Sequence, residues 1–214
     1  MNKLPLILAS SSQRRIDIMS SLGRKYESIS PDIDETPMKH ETAEQLVMRL
    51  ATQKAQVVSE NNPGRIIIAA DSVVEVDGRI YGKPVSQIEA EAMLKEIRGT
   101  HHRIHSGISI CNSSTGNIRS HCVTTVVQAR RYSDIEIKQS IDRGTPFDKA
   151  GAYAIQDPYL KPVEIIKGCY SGSLGLPVCK LIEIMIDMEQ DTSNTYFEKD
   201  SQCKPFCMFG EATG

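Results

Sequence analysis

The step Val76-Asp77-Gly78-Arg79 constrains this chain more than any other feature. Asp-Gly between two β-rich runs favours a two-residue hairpin turn whose twist matches that of paired strands. The turn fixes a register: Val76 faces Arg79, and counting back along both arms sets Ser72 opposite Lys83, with Asp71 on the adjacent diagonal. Opposed Cβ atoms in such a ladder lie ~5 Å apart and diagonal neighbours ~7–8 Å apart. Directly upstream, Ile66-Ile67-Ile68-Ala69-Ala70 reads as a buried strand. Asp71 therefore stands at the carboxyl end of a buried strand, where open sheets place their ligands. A carboxylate there needs a cation, a metal or a water to orient, because a buried unpaired charge is costly. The alternative is a surface aspartate capping a turn.

A second strand–turn–helix unit opens the chain. Leu4–Ala9 is a short apolar run that ends in Ser10-Ser11-Ser12, and a helix follows with Ile16, Met19 and Leu22 on one face and Gly23 at its stop. Free backbone N–H groups and the positive dipole end at such a turn make an anion site, and Arg14 and Arg15 strengthen it. After a strand near 26–30, the segment Pro31–Pro37 is acidic, with Asp32, Asp34 and Glu35. Its oxygens suit Mg²⁺ or Mn²⁺ if the loop folds toward Asp71, and otherwise form a solvated surface. Thr42 with Gln45 is a capping box that opens the longest helix. The apolar stripe of this helix runs Ala43, Leu46, Val47, Leu50, Val57, Val58, and Lys54 stands where the stripe should continue. Lys54 is either snorkelling off the edge of that face or a cation placed inside on purpose.

Further along, Ser86 with Glu89 and Ser133 with Glu136 cap two more helices, the first stopping at Gly99 and the second near Gly144. Strands are expected over 102–111, 118–129 and 163–169. Thr145–Gln156, rich in small residues and lacking clean periodicity, suits a loop near a ligand. Pro177 falls at the first turn of a last helix running to about Met188. The expected division is a domain over 1–188 and a polar tail over 189–214. Strand–helix units mixed with hairpins predict an α/β protein, a mixed twisted sheet in two lobes with a central cleft.

Composition narrows the partners. The 25 Lys and Arg against 27 Asp and Glu give a net charge of −2, and residues 1–186 carry only a mild excess of +2. That argues against a nucleic-acid footprint, which usually shows a strongly basic face, yet it can serve a small anion. No apolar run approaches the ~18 residues of a membrane helix, and a cytoplasmic protein with no membrane partner is expected. The six cysteines follow no disulfide-framework rhythm, so reduced thiols are expected. His101, His102 and His105 lack the partners that would complete a zinc site, and Cys203 with Cys207 supplies only two ligands. A Walker loop, a dinucleotide fingerprint and a nucleophile elbow are all missing.

Seven blocks, in order, resemble the Maf family of nucleoside triphosphate pyrophosphatases: Ser10–Arg15, Asp34-Glu35-Thr36, Arg49–Ala51 with Lys54-Ala55, Ala70–Val74, Gly82-Lys83-Pro84, Lys149–Gln156 and Gly175-Leu176-Pro177. The resemblance spans residues 4–188. It implies a two-lobed fold similar to inosine triphosphate pyrophosphatases, a homodimer, and hydrolysis between the α and β phosphates with a divalent cation, Mg²⁺ or Mn²⁺. The Arg14-Arg15 pair without tryptophan, together with Gln156, resembles the branch acting on dTTP and UTP. By position, Arg14, Ser72 and Gln156 match the specificity sites and Asp71 the proton acceptor. Arg15, Lys54, Lys83 and the turn with Ser10 and Ser12 are then expected to hold the triphosphate, with Glu35 and Asp71 on the metal. The chain differs from the commoner pattern at Gln13, Ser72, Ser106 and 168–174. Two other readings remain open: a pyrophosphatase for another nucleotide, such as CTP or 7-methyl-GTP, and a non-catalytic nucleotide-binding regulator of cell division.

Overall fold

The computed structural model describes residues 5–190, so the expected tail, with Cys203 and Cys207, lies outside the described residues from 191 onward. Seven strands form one mixed sheet: β1 (Leu6–Ala9), β2 (Tyr26–Ile29), β3 (Ile66–Val76), β4 (Arg79–Tyr81), β5 (His101–Asn112), β6 (Asn117–Ala129) and β7 (Val163–Lys167). Their order is β2-β1-β3-β5-β6-β7, with β4 also beside β3. The helices are α1 (Gln13–Ser21), α2 (Ala43–Glu60), α3 (Gln87–Ile97), α4 (Asp134–Asp142), α5 (Tyr170–Ser173) and α6 (Val178–Gln190).

The long strand β3 organises everything else. Its alternate side chains point to opposite faces, and both faces are covered, which is why its first five residues read as one buried apolar run. Ile67, Ala69 and Val73 meet α2 on one face. On the other, Ile66, Ile68 and Ala70 pack under α1 and α6, while Val74 and Val76 pack with α3 and α4 in a separate cluster. These two clusters on one face correspond to the two lobes, and the cleft lies over the middle of β3, lined from the α2 face as well by Leu46, Leu50 and Lys54.

The hairpin register is as expected for Val76↔Arg79, Glu75↔Ile80 and Val74↔Tyr81, with Asp77 at φ 47 and Gly78 at φ 81. It stops there. The Gly82 carbonyl accepts from the Gly151 N–H at 3.0 Å, so the strand leaves the ladder before Lys83 can pair with Ser72. On the side of β3 away from β5, β1 pairs with residues 66–69 and β4 with 74–76. Residues 70–73 lie in the gap between these partners.

The capping boxes at Thr42/Gln45 and Ser133/Glu136 are complete. At α3 only the Ser86 half forms, and the Glu89 carboxylate accepts from the Val85 N–H instead. Pro177 precedes the last helix, its carbonyl taking the Leu181 N–H. The short α5 was unexpected. Cys111, Cys122 and Cys169 are free thiols, whereas Cys179 is disulfide-bonded, contrary to the expectation of reduced thiols.

Candidate active site

Asp71 and Ser72 sit in the gap in the ladder and, being consecutive in a strand, face opposite ways. Asp71 points to the α2 side. The helix reaches it because α2 lies directly on β5: a Cβ at Gly107, the residue paired with Asp71, would fall 2.2 Å from the Val47 carbonyl oxygen. That close approach needs glycine, and it sets Lys54, two helical turns beyond Val47, against the strand. Lys54 Nζ lies 2.6 Å from Asp71 Oδ1 and 2.6 Å from Glu35 Oε1. Its side chain is only 7% exposed, so it is an interior cation and the snorkelling alternative is excluded.

Ser72 points to the α1 side. Its hydroxyl pairs with Ser106 at 2.9 Å, and Ser106 donates to the Gly172 carbonyl at 2.7 Å. Arg15 reaches the same place from α1, donating through Nε to the Gly175 carbonyl at 2.9 Å and approaching Ser72 and Ser10 at 3.5 Å. Ser10 is itself buried and accepts from the Ser12 N–H at 3.1 Å. It shapes the turn, while Ser12 faces the cleft.

The cleft measures about 440 Å³, and Arg14, Arg15, Lys54, Lys83, Glu35, Asp71 and Asp148 all line it. The apolar part of its wall includes Leu50, Tyr153, Ile155 and Leu174. Lys83, though outside the ladder, still arrives at the cleft. Gln156 does not line it: its amide donates to the Tyr170 hydroxyl at 3.0 Å, and it borders a neighbouring concavity that shares Arg14 and Leu174 with the cleft. The segment 145–156, expected near a ligand, supplies Asp148, Ala150, Tyr153 and Ile155.

Electrostatics follow from this crowding. Burial lowers the pKa of Arg15, with the charges of Asp71 and Glu35 opposing that effect and Arg14 adding to it. Burial likewise lowers that of Arg14 against the charge of Asp148. The Nε of Arg14 is buried with no hydrogen-bond partner among the described residues. For Glu35, burial raises the pKa, but the hydrogen bond and charge of Lys54, then Lys83 and Arg15, outweigh it and leave the carboxyl below its ordinary value. The result is a cleft with four cations and three carboxylates, two of the carboxylates held by the Lys54 ammonium. Such a site accepts a multiply charged anion.

Among the described residues, no group of three or more His, Cys, Asp and Glu converges to enclose a metal by itself. Glu35 and Asp71 do converge, since both carboxylates touch the same Nζ and their oxygens lie within about 5 Å of each other. Mg²⁺ is usually bound through one or two carboxylates together with substrate phosphates and waters, so this pair fits a metal that arrives with a polyphosphate. Of the histidines, His102 Nε2 bonds the Tyr153 hydroxyl at 2.5 Å, and His105 Nε2 bonds Glu75 at 2.7 Å. Both are engaged in the fold.

Residues 5–188 match the family described as Maf-like protein. The chain belongs to this family. Among similar curated proteins, the dTTP/UTP pyrophosphatase of Geotalea uraniireducens is 39% identical over 183 residues, covering 86% of this chain and 94% of the relative. That of Thermomicrobium roseum is 44% identical over 176 residues, covering 82% and 80%, and that of Dictyoglomus thermophilum is 36% identical over 184 residues, covering 86% and 95%. In this Maf-like chain the matched span contains every residue of the cleft. The sequence reading passed over Ser106, Asp148 and Tyr153 as site residues. Ser106 could have been found only from the β3–β5 register, which no local signal sets. No helix among the described residues is long and apolar enough to cross a membrane.

Proposed function

We propose that this chain is a nucleoside triphosphate pyrophosphatase that converts dTTP or UTP, with water, to the nucleoside monophosphate and pyrophosphate. The observation that carries this reading is Asp71, a carboxylate at a gap in the ladder of an interior strand, with cations on both faces of that strand. Phosphoanhydride cleavage asks a protein mainly to position the phosphates and to neutralise charge as it develops. Arg15 and the Ser10–Ser12 turn hold phosphate oxygens from the α1 side, and Lys54 and Lys83 hold them from the other. Asp71 orients the attacking water and takes its proton as the new P–O bond forms and the bond between the α and β phosphates breaks, the electron pair leaving with pyrophosphate.

Mg²⁺ or Mn²⁺ would be held by Glu35 and Asp71, where it supplies Lewis-acid neutralisation of the phosphate oxygens. Binding of substrate then frees Lys54 to turn from the carboxylates to a phosphate. The preference for dTTP and UTP rests on the names of the relatives, and the unpartnered Arg14 Nε fits a donor to a pyrimidine carbonyl. Pyrophosphate release should be measured across dTTP, UTP, CTP, 7-methyl-GTP and the purine triphosphates with Mg²⁺ or Mn²⁺, beside Asp71→Asn. We expect release from dTTP and UTP, with kcat/KM lower by at least ~100-fold in the variant. Full turnover by correctly folded Asp71→Asn would refute the assignment. Tight nucleotide binding without release from any substrate would refute the enzymatic reading itself.

A further inference from the structure

Glu35, unlike Asp71 on β3, reaches the cleft from an irregular segment. It stands in the stretch 30–42 between β2 and α2, where residues 34–40 are all exposed. The apolar anchor of this strap is Ile33, partly buried against the cluster formed by α2 and Val73. A segment with so little buried surface has little hydrophobic free energy to offset the entropy of ordering it. Polar contacts must decide where it lies, and most of them meet at one side chain.

That side chain is Arg49, on the rigid α2. Its Nε and Nη2 form a two-pronged bond to Glu41, at 2.7 Å to Oε1 and 2.8 Å to Oε2. Nη2 also donates to the carbonyl of Thr36, the residue after Glu35, at 3.0 Å, and Nη1 donates to Gln53 at 3.1 Å. Glu41 in turn accepts from the Met38 N–H at 3.0 Å, and Asp34 accepts from the Thr36 N–H at 2.9 Å. The Arg49 and Glu41 side chains are 17% and 8% exposed, so each is largely covered by its neighbours although the pair lies near the surface. Arg49 itself does not line the cleft.

We propose that Arg49 is the positioning residue of Glu35, a clamp that pins the strap at Thr36 and Glu41 and so presents the Glu35 carboxylate to Lys54 and to the polyphosphate site. The directions of titration agree with it, since Glu41 is lowered and Arg49 raised chiefly by their mutual hydrogen bond. The fork geometry is required. A lysine at 49 could meet Glu41 as a point charge, but it could not hold both carboxylate oxygens and the Thr36 carbonyl together.

The inference rests on the pyrophosphatase reading for its kinetic effect but not for its structural one, and the test separates the two. Arg49→Lys is compared with Glu35→Gln and with the double variant, by kcat/KM for pyrophosphate release and by amide hydrogen exchange. Expected are a loss of ~10- to 100-fold in kcat/KM, of the size seen when an outer partner of a functional group is removed, and no further loss when Arg49→Lys is added to Glu35→Gln. Exchange should quicken across 33–39 and stay unchanged in α2 over 46–58. Additive losses, or exchange in the strap like that of the parent protein, would overturn the clamp. If the parent protein releases no pyrophosphate from any nucleotide, the functional reading has failed and exchange alone judges the clamp. Should Arg49→Lys not fold, Glu41→Gln removes one arm of the fork while keeping Arg49, and the same two outcomes decide.

Discussion

A buried histidine makes the stability of this fold depend on pH with a sign that can be worked out. His102 lies on β5, 2% exposed, with its ring edge-on to Tyr153 at 5.5 Å and its Nε2 on the Tyr153 hydroxyl. Burial lowers its pKa from 6.5 to about 4, the neighbouring Thr100 backbone opposing the effect and His101 adding to it. The unfolded chain thus takes up this proton near pH 6.5, and the folded chain only near pH 4. Between those values the unfolded state holds more protons, so stability falls as pH drops through the interval and is unaffected by this group above it. At ~1.4 kcal/mol per pH unit the interval amounts to about 3 kcal/mol. His102→Gln keeps a hydrogen-bonding group near Nε2 and cannot titrate. Urea unfolding of both proteins from pH 7 to pH 4 should give a stability difference that shifts toward the variant by about 3 kcal/mol. Taking the difference cancels carboxylates that titrate at low pH, such as Glu136, held at about 2 by Ser133 and Arg130. A difference constant with pH to within ~0.5 kcal/mol would refute the reasoning.

Two further substitutions probe the packing that sets the site. Lys54→Met keeps the helix stripe but leaves Asp71, its side chain 9% exposed, without its ammonium. Loss of one partner of a buried pair should cost ~3 kcal/mol in denaturant unfolding, and Asp71→Asn in the same chain should recover part of it. A single variant more stable than the parent would contradict this. Gly107→Ala places a Cβ 2.2 Å from the Val47 carbonyl oxygen, and because backbone cannot swing aside it should cost about 3 kcal/mol or more. A melting temperature equal to that of the parent would show that α2 can lift from β5 freely.

The sequence revealed those parts of the site that are written in local periodicity. Lys54 was visible because it interrupts an apolar stripe, and Asp71 because it ends an apolar run. The Asp77-Gly78 turn announced itself, and its first three pairs followed by counting. The count failed at Lys83 because a contact from outside the hairpin, Gly151 N–H to Gly82, draws the strand away. The pairing of Ser72 with Ser106 and the seating of α2 at Gly107 depend on a register between strands 34 residues apart. Neither turn chemistry nor hydrophobic pattern records such a register directly.

The same distinction explains why Arg49 was visible in the sequence only as part of a resemblance. On a helical wheel it is one more exposed arginine, and its meaning lies in what an irregular segment does around it. A strap with one partly buried apolar side chain has no periodicity to read, so its conformation is fixed by the side chain that gathers its carbonyl and carboxylate oxygens. The site therefore combines two kinds of precision. Asp71, Ser72 and Lys54 are held by a packed sheet and helix, which tolerate little displacement. Glu35 is held by hydrogen bonds at the surface and can move when a competing anion or cation enters. In the proposed reaction the rigid half keeps the geometry of the water and the phosphates, while the strap adjusts the charge beside them as substrate arrives and pyrophosphate leaves.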